Sequence, residues 1–457
     1  MPTFAPDKLA AWTGGSWTRW PDGVLSGFTQ DTRSLTAGQV FVALKTEQRD
    51  GHDFLSEAAT RGAAAALVNR TRNDSALPQL VVADPLAAFQ RIAREHRREF
   101  HGTVVGVTGS VGKTSTKDLL TLLLGGAPAV CATEGNLNNF LGVPLTLTRL
   151  NPAGHVAAVI EAGISLPGEM AGLAAMIEPE HSLVTLVGPA HLEQLGSLEG
   201  IAREKALLPA ANRPGGLAVF PVSCWAYAPF RALANALVLV PANEGMTQVD
   251  ARTVTFNVFH RPARTEVTLN GRRPFILHRV SSGMAQNAAL ALALVAELGV
   301  GDAALQTRLD GWRPTKWRGE FQLHGEALVY CDFYNANPAS MADAIATFAG
   351  LADPTRPWLY VLGCMEELGA AAAAYHRQLG RLILLRPGDF LFIRGTHAAA
   401  LHEGLLENGN DPARIAVVDD LAPVRARLES FTGVVFLKGS RRYKLETVLD
   451  PHAPVHA

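Results

Sequence analysis

The sequence predicts an α/β protein in which helices cover mainly parallel sheets. Short apolar segments such as Thr103–Thr108 and Val156–Glu161 alternate with helical segments along the chain. Both of these segments are apolar almost throughout, as strands buried on both faces are. The length of 457 residues allows two to four domains at roughly 100–200 residues each. The chain is therefore expected to form several units of the same class.

Residues 1–98 form the first predicted unit. Gln39–Leu44 and Ala64–Val68 have the pattern of short buried strands, and Phe54–Arg61 between them is predicted to be helical. A longer helix is predicted at Pro85–Phe100, where it leads into the next unit. The first unit is thus a small α/β fold.

Residues 99–310 form the second predicted unit, an open parallel sheet with helices on both faces. Its main predicted elements are the strands Thr103–Thr108, Val156–Glu161 and Ser182–Gly188 and the closing helix Met284–Leu298. Two further strands, Thr253–Phe259 and Thr265–Leu269, are expected in an insertion or at the edge of the sheet.

Residues 311–457 form the third predicted unit, which is again α/β. Its predicted strands are Ala327–Asp332, Trp358–Leu362, Asp389–Ile393, Ile415–Val418 and Val434–Leu437. Helical segments separate them, and the alanine run at 370–374 needs no explanation beyond helix formation.

Composition excludes several classes of protein. The 41 Lys+Arg residues balance 42 Asp+Glu residues, which argues against a protein that coats nucleic acid or an anionic membrane. The first residues lack a signal-peptide pattern, and no apolar run reaches the roughly 18–20 residues of a membrane span. Four scattered cysteines without C-x-x-C spacing predict buried thiols. These features predict a cytoplasmic protein.

The strongest local motif is GVTGSVGKTSTKD at residues 106–118. Glycines let backbone N–H groups close around an anion, and a helix N-terminus adds partial positive charge. The spacing is T-G-x-x-G-K-[ST], one residue short of the general P-loop pattern. A glycine turn that merely starts a helix is the alternative, but the strand–turn–helix context favours nucleotide binding. The predicted nucleotide-binding residues here are Thr108, Gly109, Ser110, Gly112, Lys113, Thr114 and Ser115.

Other chemistry-bearing residues follow predicted strands. Glu161 ends one strand and is placed to bind Mg²⁺, although a surface carboxylate is the alternative. His191 is either a metal ligand or a structural histidine, and Lys205 is a candidate whose ordinary explanation is a solvated lysine. No N-K-x-D element supports a GTPase.

Several motifs together give the chain a resemblance to the Mur ligase family of peptidoglycan precursor synthesis. The matching segments are DTRSLTAGQVFVAL (31–44), DGHDF (50–54), TGSVGKTS (108–115), GNLNNFLGVPLTL (135–147), EAGISLPGEM (161–170), GPAHLEQLGS (188–197), YNANPASM (334–341), VLGCMEELG (361–369) and LKGSR (437–441). They span nearly the whole chain. YNANP and GNLNN are typical of the members that add D-alanyl-D-alanine.

The resemblance implies a three-domain fold and an ATP-dependent ligase. Residues 1–98 would bind UDP-N-acetylmuramoyl-tripeptide, 99–310 would be the central ATP-binding P-loop domain, and 311–457 a Rossmann-like domain that closes over the site. The implied reaction joins D-alanyl-D-alanine to the tripeptide through an acyl phosphate, as the last cytoplasmic peptide addition. The third residue of the tripeptide stays open between diaminopimelate, lysine and ornithine. A monomer is expected.

The same resemblance implies roles for individual residues. Lys113, His191 and Lys205 would be catalytic, and Thr114, Glu161, His191 and Lys205 would hold two Mg²⁺ ions, with Lys205 carbamylated. Further residues expected at the nucleotide are Asn287, Arg318, Asp332, Asn335 and Asn337. Those expected at the substrates are Asp31, Thr32, Arg33, Ser34, Asn136, Asn138, Asn139, Lys438, Ser440 and Arg441.

The sequence also departs from the family pattern. Gly283 stands where the family commonly has histidine, four residues before Asn287. Cys331, Phe333 and Cys364 replace Asp, Ser and Asp. None of these changes removes the phosphate loop or an expected metal ligand, so an active enzyme is expected.

Three other functions are alternatives that the sequence features distinguish. A ligase for another Mur step would carry a different loop at 334–338, and a folylpoly-γ-glutamate synthetase should lack the pattern at 31–54. A non-catalytic ATP-binding module would have no use for Lys113, Glu161 and His191 together with Lys205. The first two differ from the preferred function in substrate alone.

Overall fold

The structure is a computed structural model that describes residues 2–243 and 249–450, so the last seven residues of the predicted third unit lie outside it. In this part of the chain the main sheets have five, nine and six strands. Helices pack against each of them, which confirms the predicted α/β class.

The five-stranded sheet belongs to the first predicted unit. Its order is β1-β5-β4-β3-β2, and only β1 runs antiparallel to its neighbour. Its strands are β1 (Ser16–Trp17), β2 (Phe28–Thr29), β3 (Val40–Val42), β4 (Ala65–Val68) and β5 (Gln79–Val81). The accompanying helices are α1 (Pro6–Thr13), α2 (Leu55–Thr60) and α3 (Pro85–Arg98).

The nine-stranded sheet belongs to the second unit. Its strands are β6 (Thr103–Thr108), β7 (Val130–Ala132), β8 (Ala157–Glu161), β9 (His181–Val184), β10 (Ala218–Pro221), β11 (Ala236–Pro241), β12 (Arg252–His260), β13 (Arg264–Leu269) and β14 (Phe275–His278). Its helices are α4 (Lys113–Leu123), α5 (Gly142–Leu147), α6 (Glu169–Ile177), α7 (Leu192–Leu195), α8 (Leu198–Ala210), α9 (Val222–Trp225), α10 (Ala228–Arg231), α11 (Ser282–Glu297) and α12 (Asp302–Asp310).

The order of this sheet places the phosphate loop at its centre. The strands run β14-β13-β12-β11-β10-β9-β6-β8-β7, with antiparallel pairing only among β12, β13 and β14. The chain leaves β6 toward β7 and returns through β8 to β9 on the other side, which makes the carboxyl end of β6 a switch point. The two strands expected at an edge or insertion are β12 and β13, at the antiparallel side.

The six-stranded sheet belongs to the third unit. Its order is β15-β16-β20-β17-β18-β19, and all pairs but β15–β16 are parallel. Its strands are β15 (Glu320–His324), β16 (Ala327–Cys331), β17 (Trp358–Gly363), β18 (Phe390–Arg394), β19 (Ile415–Val417) and β20 (Val434–Lys438). Its helices are α13 (Pro338–Leu351), α14 (Ala372–Gly380), α15 (Ala398–Glu407) and α16 (Ala422–Leu428).

Two predicted strands are clearly shorter than expected: Gln39–Leu44 is reduced to β3 (Val40–Val42), and the other lies beside the phosphate loop. The segment Ser182–Gly188 was predicted as a strand throughout, but β9 ends at Val184. The following residues leave the sheet because they bond to the phosphate loop. The Thr185 hydroxyl donates to the Val111 carbonyl at 2.5 Å, and the Gly188 N–H donates to the Ser110 hydroxyl at 2.9 Å.

Helix α3 packs against both the first and the second unit. Its residues Phe89 and Ile92 belong to the core of the first sheet, whereas Ala93 belongs to a core of the second. Arg97 near its end is fully buried and donates to the carbonyls of Phe100, Ile177 and Glu178, and to Glu180 at 2.7 Å. Every branch of the guanidinium therefore has an acceptor from the second unit or the helix end.

All four cysteines are buried and free, as the sequence predicted. Burial raises the pKa of Cys331 and Cys364 to about 12, so the two cysteines that replace family aspartates are unreactive core residues. Within residues 2–243 and 249–450, no helix has the length and apolar character needed to cross a bilayer.

Buried histidines make the stability of this fold sensitive to acid. His376 is fully buried, its Nε2 accepts from the Met365 N–H at 2.9 Å, and its Nδ1 lies 2.7 Å from the Ala372 carbonyl. Both ring atoms are thus used by the neutral form, and burial lowers the pKa of His376. Protonation would place an N–H donor on Nε2, where it would face the N–H donor of Met365.

We therefore expect stability to fall as the pH drops below the unfolded-state histidine pKa of about 6.5, because the unfolded chain then binds more protons. Each such group contributes up to about 1.4 kcal/mol per pH unit. Urea midpoints between about pH 7.5 and 5.5 would measure this. His376→Gln should be less stable at the higher pH but show a shallower dependence. Equal dependence in the two proteins would contradict the explanation.

Candidate functional site

A cavity of about 620 Å³ opens where the carboxyl ends of strands in the second and third sheets face each other. Its walls include the phosphate loop after β6, Glu161 at the end of β8, and His191 after β9. Loops from the third unit, among them Tyr334–Asn337, close the opposite side. Carboxyl ends of parallel strands are the usual ligand sites of such sheets.

Two glycines give the phosphate loop its shape. Gly109 has φ +144° and Gly112 has φ +77°, both in the region that favours glycine. A Cβ on Gly109 would lie 1.8 Å from the Thr185 hydroxyl oxygen, and one on Gly112 would lie 2.2 Å from Asn287 Nδ2. Close approach of neighbouring loops, and not only backbone conformation, therefore excludes any side chain.

Two lysines converge on one carbonyl of this loop. Lys113 Nζ donates to the Gly109 carbonyl at 2.9 Å, and Lys205 Nζ donates to the same oxygen at 3.0 Å. Lys205 is only 2% exposed, so it is not the solvated lysine of the alternative explanation. Burial, and then the nearby charge of Lys113, hold the pKa of Lys205 well below its usual value. Burial also lowers the pKa of Lys113.

Glu161 has the character of a cation ligand. It is buried, and its Oε1 accepts from Asn138 Nδ2 at 2.8 Å. Its Oε2 is buried without a hydrogen-bond partner among the described residues. An unpartnered buried carboxylate oxygen is costly unless a cation or another donor occupies its free side. Glu161 and Thr114 both line the cavity, so this donor set fits Mg²⁺, which prefers oxygen ligands.

His191 sits at a junction between units. It adopts φ +54°, and its Nδ1 lies 2.5 Å from Oε2 of Glu367, which belongs to the third unit. The closeness of the His191 ring lowers the pKa of Glu367. Within residues 2–243 and 249–450, no group of three or more His, Cys, Asp or Glu side chains is arranged as a metal site. Any ion here would therefore need other donors, such as Thr114, a modified lysine or substrate oxygens.

The third unit contacts the phosphate loop directly. Arg318 donates to the Thr114 hydroxyl at 3.2 Å, and its guanidinium lies 4.0 Å from the ring centroid of Tyr334. Asn337 caps helix α13, and its Nδ2 lies 3.4 Å from the Ser110 carbonyl. These contacts bring the predicted residues of both units to one cavity.

The buried Lys438 pairs with the half-buried Asp332 on the third unit. Lys438 Nζ lies 2.7 Å from Asp332 Oδ2 and also donates to the Asn335 carbonyl at 3.3 Å. Lys438 is 1% exposed and, like Asp332, lines the cavity. The Asn335 side chain accepts from the Ala336 N–H, so it shapes its own loop.

The nucleotide side of the cavity contains Asn287, whose Oδ1 is buried without a hydrogen-bond partner among the described residues. One helical turn earlier, the Gly283 N–H donates to Asp343 Oδ1 at 3.1 Å. A Cβ on Gly283 would lie 2.7 Å from Asp343 Oδ2. A carboxylate from the third unit thus occupies the space beside the position where the family commonly has histidine.

Several predicted residues are not brought into the cavity wall. Thr108 donates to the Ala162 carbonyl at 2.8 Å inside the sheet. Asn139 caps α5 through the Gly142 N–H at 2.9 Å, although it borders the cavity with Asn136 and Asn138. Among the described residues, the predicted ones that do not line the cavity are Asp31, Thr32, Arg33, Ser34, Thr108, Gly109, Lys205, Ser440 and Arg441.

The first-unit and C-terminal residues have local partners instead. Asp31 binds Arg33 at 2.7 Å, and the pKa of Asp31 is lowered by that hydrogen bond. Arg441 lies 2.7 Å from Glu446 and stacks over Trp317. Phe333, which replaces a family serine, packs on Trp317 at a centroid distance of 5.3 Å.

Sequence reasoning missed three residues at the site. Glu367 lies within the motif VLGCMEELG and Tyr334 within YNANPASM, so the sequence marks both segments but predicts no role for either side chain. Asp343 carried no signal, because only the fold brings it to Gly283.

Comparisons with known proteins agree with this geometry. Residues 107–295 match the family described as Mur ligase middle domain, and residues 318–441 match the Mur ligase glutamate ligase domain. The chain is 33% identical over 432 residues to the UDP-N-acetylmuramoyl-tripeptide–D-alanyl-D-alanine ligase of Escherichia coli K12, covering 94% of each chain. The ligase of the same name from Bacillus subtilis is 31% identical over 440 residues, with 93% of each chain covered.

Solved structures give the same result. A crystal structure of MurF from Acinetobacter baumannii has a TM-score of 0.85 at 26% identity and covers 99% of both chains. MurF ligase from Thermotoga maritima in complex with ADP has a TM-score of 0.77 at 27% identity, covering 93% of this chain and 96% of that one.

Proposed function

The chain belongs to the Mur ligase family, and from that premise we propose that it joins D-alanyl-D-alanine to UDP-N-acetylmuramoyl-tripeptide. It is an ATP-dependent amide ligase of peptidoglycan synthesis. ATP phosphorylates the terminal carboxylate of the tripeptide, which gives an acyl phosphate and ADP. The amine of D-alanyl-D-alanine then attacks the acyl carbon, loses a proton, and expels phosphate.

The first step requires positive charge, because a carboxylate must approach a phosphate and both are anions. At 4 Å and an effective dielectric constant of 20, each pair of unit charges repels by about 4 kcal/mol. Lys113 lies in the phosphate loop, and Arg318 reaches its Thr114 hydroxyl from the third unit. In our proposal these two cations offset the repulsion and stabilise the charge that develops during transfer.

Magnesium would complete this site. We propose that Thr114 and Glu161 hold one ion and that His191 and Lys205 contribute to a second. Bound Mg²⁺ would neutralise phosphate charge and orient the γ-phosphate. The buried, unpartnered Oε2 of Glu161 supports the first of these assignments.

Lys205 would bind metal as a carbamate. A neutral lysine amine adds to CO₂ and releases a proton, which leaves a carboxylate-like group. An ordinary lysine, with a pKa of about 10.4, rarely supplies the neutral amine at pH 7. Burial and Lys113 lower the pKa of Lys205, which favours that form, and the cation of Lys113 would then attract the anionic carbamate. Burial thus supports the first step of the modification, and the charge of Lys113 supports the second.

The remaining predicted residues complete the proposal. We assign Asn287, Asp332, Asn335 and Asn337 to the nucleotide side, with the phosphate loop. Asp31–Ser34 would bind the UDP-muramoyl end within a domain of residues 1–98, followed by domains at 99–310 and 311–457. Asn136, Asn138 and Asn139, together with Lys438, Ser440 and Arg441, would face the substrates. We expect the enzyme to act as a cytoplasmic monomer.

The observation that carries this proposal is the convergence of Lys113 and Lys205 on the Gly109 carbonyl, in a loop whose cavity is closed by the third unit. Phosphate release should be measured with MgATP, UDP-N-acetylmuramoyl-tripeptide and D-alanyl-D-alanine, with each omitted in turn. We expect release only with all three present. Release that does not require D-alanyl-D-alanine would refute the assignment.

A further inference from the structure

Glu367 is a third-unit residue that reaches the phosphate-side loop of the second unit. Its Oε2 lies 2.5 Å from His191 Nδ1, and the two side chains are 49% and 25% exposed. The Glu367 carbonyl also accepts the N–H of Glu193 at 3.1 Å. Side chain and backbone of one residue therefore bind the loop that carries His191.

The backbone at this contact is held in an unusual conformation. His191 has φ +54° and Glu367 has φ +61°, and residues other than glycine seldom adopt such values. Two residues of this kind facing each other across a boundary between units persist only where the surroundings hold them. Gly369 allows the two segments to approach closely, because a Cβ there would lie 3.1 Å from the Cα of Glu193.

The chemistry of the Glu367–His191 pair indicates how Glu367 would affect metal binding. A carboxylate beside Nδ1 favours the tautomer that carries its proton on Nδ1, and the lone pair of Nε2 is then free for a ligand. We propose that Glu367 is a positioning residue that orients His191 toward the second metal ion, so that this ion binds tightly only when the third unit is docked. This inference rests on the metal-binding role proposed for His191 above.

The consequence is a coupling between docking and metal affinity. Glu367 lies between β17 and α14, so any movement of the third unit away from the second carries the carboxylate away from His191. If docking of the third unit raises the affinity for the metal, bound metal stabilises the docked form by the same free energy. The metal would thus favour the closed site in which the chemistry occurs.

Mn²⁺ binding, followed by electron paramagnetic resonance in the presence of a non-hydrolysable ATP analogue, tests this directly. Glu367→Ala should weaken the second Mn²⁺ about 10–100-fold and leave the first unchanged. Glu367→Gln should lose less, because its amide oxygen can still lie beside Nδ1 of His191. The matched control is Glu193→Gln, an exposed carboxylate on the same loop, which should bind as the wild type does. Wild-type affinity in Glu367→Ala would overturn the proposal.

A double-variant cycle separates positioning from direct ligation. If Glu367 acts through His191, Glu367→Ala should cost nothing further in a His191→Ala background. Additive losses would overturn the positioning role, since they would make Glu367 a ligand in its own right. Thermal unfolding midpoints of all variants establish that each is folded.

Phosphate release and Mn²⁺ binding of the wild-type protein distinguish failure of this inference from failure of the proposed function. Substrate-dependent phosphate release with a single bound Mn²⁺ would overturn the inference and leave the ligase assignment standing. Two Mn²⁺ ions with the expected losses, but no release with the proposed substrates, would support the inference and refute the substrate assignment.

Discussion

Replacing Lys205 by alanine is expected to lower kcat by at least about 100-fold, the size of effect seen when a buried group that organises transition-state charge is removed. The variant loses the amine that donates to the Gly109 carbonyl at 3.0 Å, and with it the proposed carbamate ligand. The loss should appear mainly in kcat, because the phosphate loop keeps Lys113. Phosphate release at saturating substrates measures it.

The carbamate makes a further expectation specific. Small carboxylic acids such as formate or acetate should partly restore turnover in Lys205→Ala, because they can place a carboxylate where the carbamate stood. They should not stimulate the wild type. In the wild type, ¹³C-labelled CO₂ should give a carbamate signal that Lys205→Ala lacks.

Lys8→Ala is a suitable control, since that lysine side chain is 52% exposed and pairs with Glu99. It should turn over at the wild-type rate. Wild-type turnover in Lys205→Ala would exclude a metal-bridging role, and rescue by uncharged compounds of the same size would exclude a carboxylate as the missing group.

Replacing Arg97 by alanine is expected to destabilise the protein by about 3–5 kcal/mol, as breaking a buried ion pair does. Glu180 would lose one of its two partners at 2.7 Å, although it still accepts from the Val104 N–H and Arg213. The carbonyls of Phe100, Ile177 and Glu178 would also lose a buried donor. Urea denaturation followed by tryptophan fluorescence measures the change.

The adjacent Arg98 provides the matched control. It forms an ion pair with Glu178 at 2.6 Å, but its side chain is 47% exposed. Exposed pairs contribute about 0–1 kcal/mol, so Arg98→Ala should unfold near the wild-type urea concentration. Similar shifts of the urea midpoint in Arg97→Ala and Arg98→Ala would show that burial of an arginine here does not determine its contribution to stability.

Local signals in the sequence predicted the elements that carry the site. The strand Thr103–Thr108 has the predicted bounds, because an apolar run is followed at once by glycines that cannot continue it. Glu161 likewise ends its strand as expected, whereas β20 runs one residue beyond the predicted strand and so includes Lys438. Such features depend on a few neighbouring residues. They place the phosphate loop, Glu161 and Lys438 at the carboxyl ends of strands that face one cavity.

What the sequence did not reveal depends on contacts between distant segments. Nothing near Lys205 indicates that it is buried, because only the fold brings it to Gly109, 96 residues away. The early end of β9 depends on bonds from Thr185 and Gly188 to a loop 74 and 78 residues earlier. The substrate roles of Asp31–Ser34 and of Ser440 and Arg441 came from the resemblance alone and stay predictions.

The contact between Gly283 and Asp343 constrains how this chain can diverge. The two residues are 60 positions apart and belong to different units, yet each sets the space available to the other. A larger residue at 283 becomes acceptable when 343 becomes smaller, so mutations at the two positions are expected to be inherited together. The same interdependence limits recombination, because this third unit would bring Asp343 against any larger residue that a relative's second unit carries at position 283.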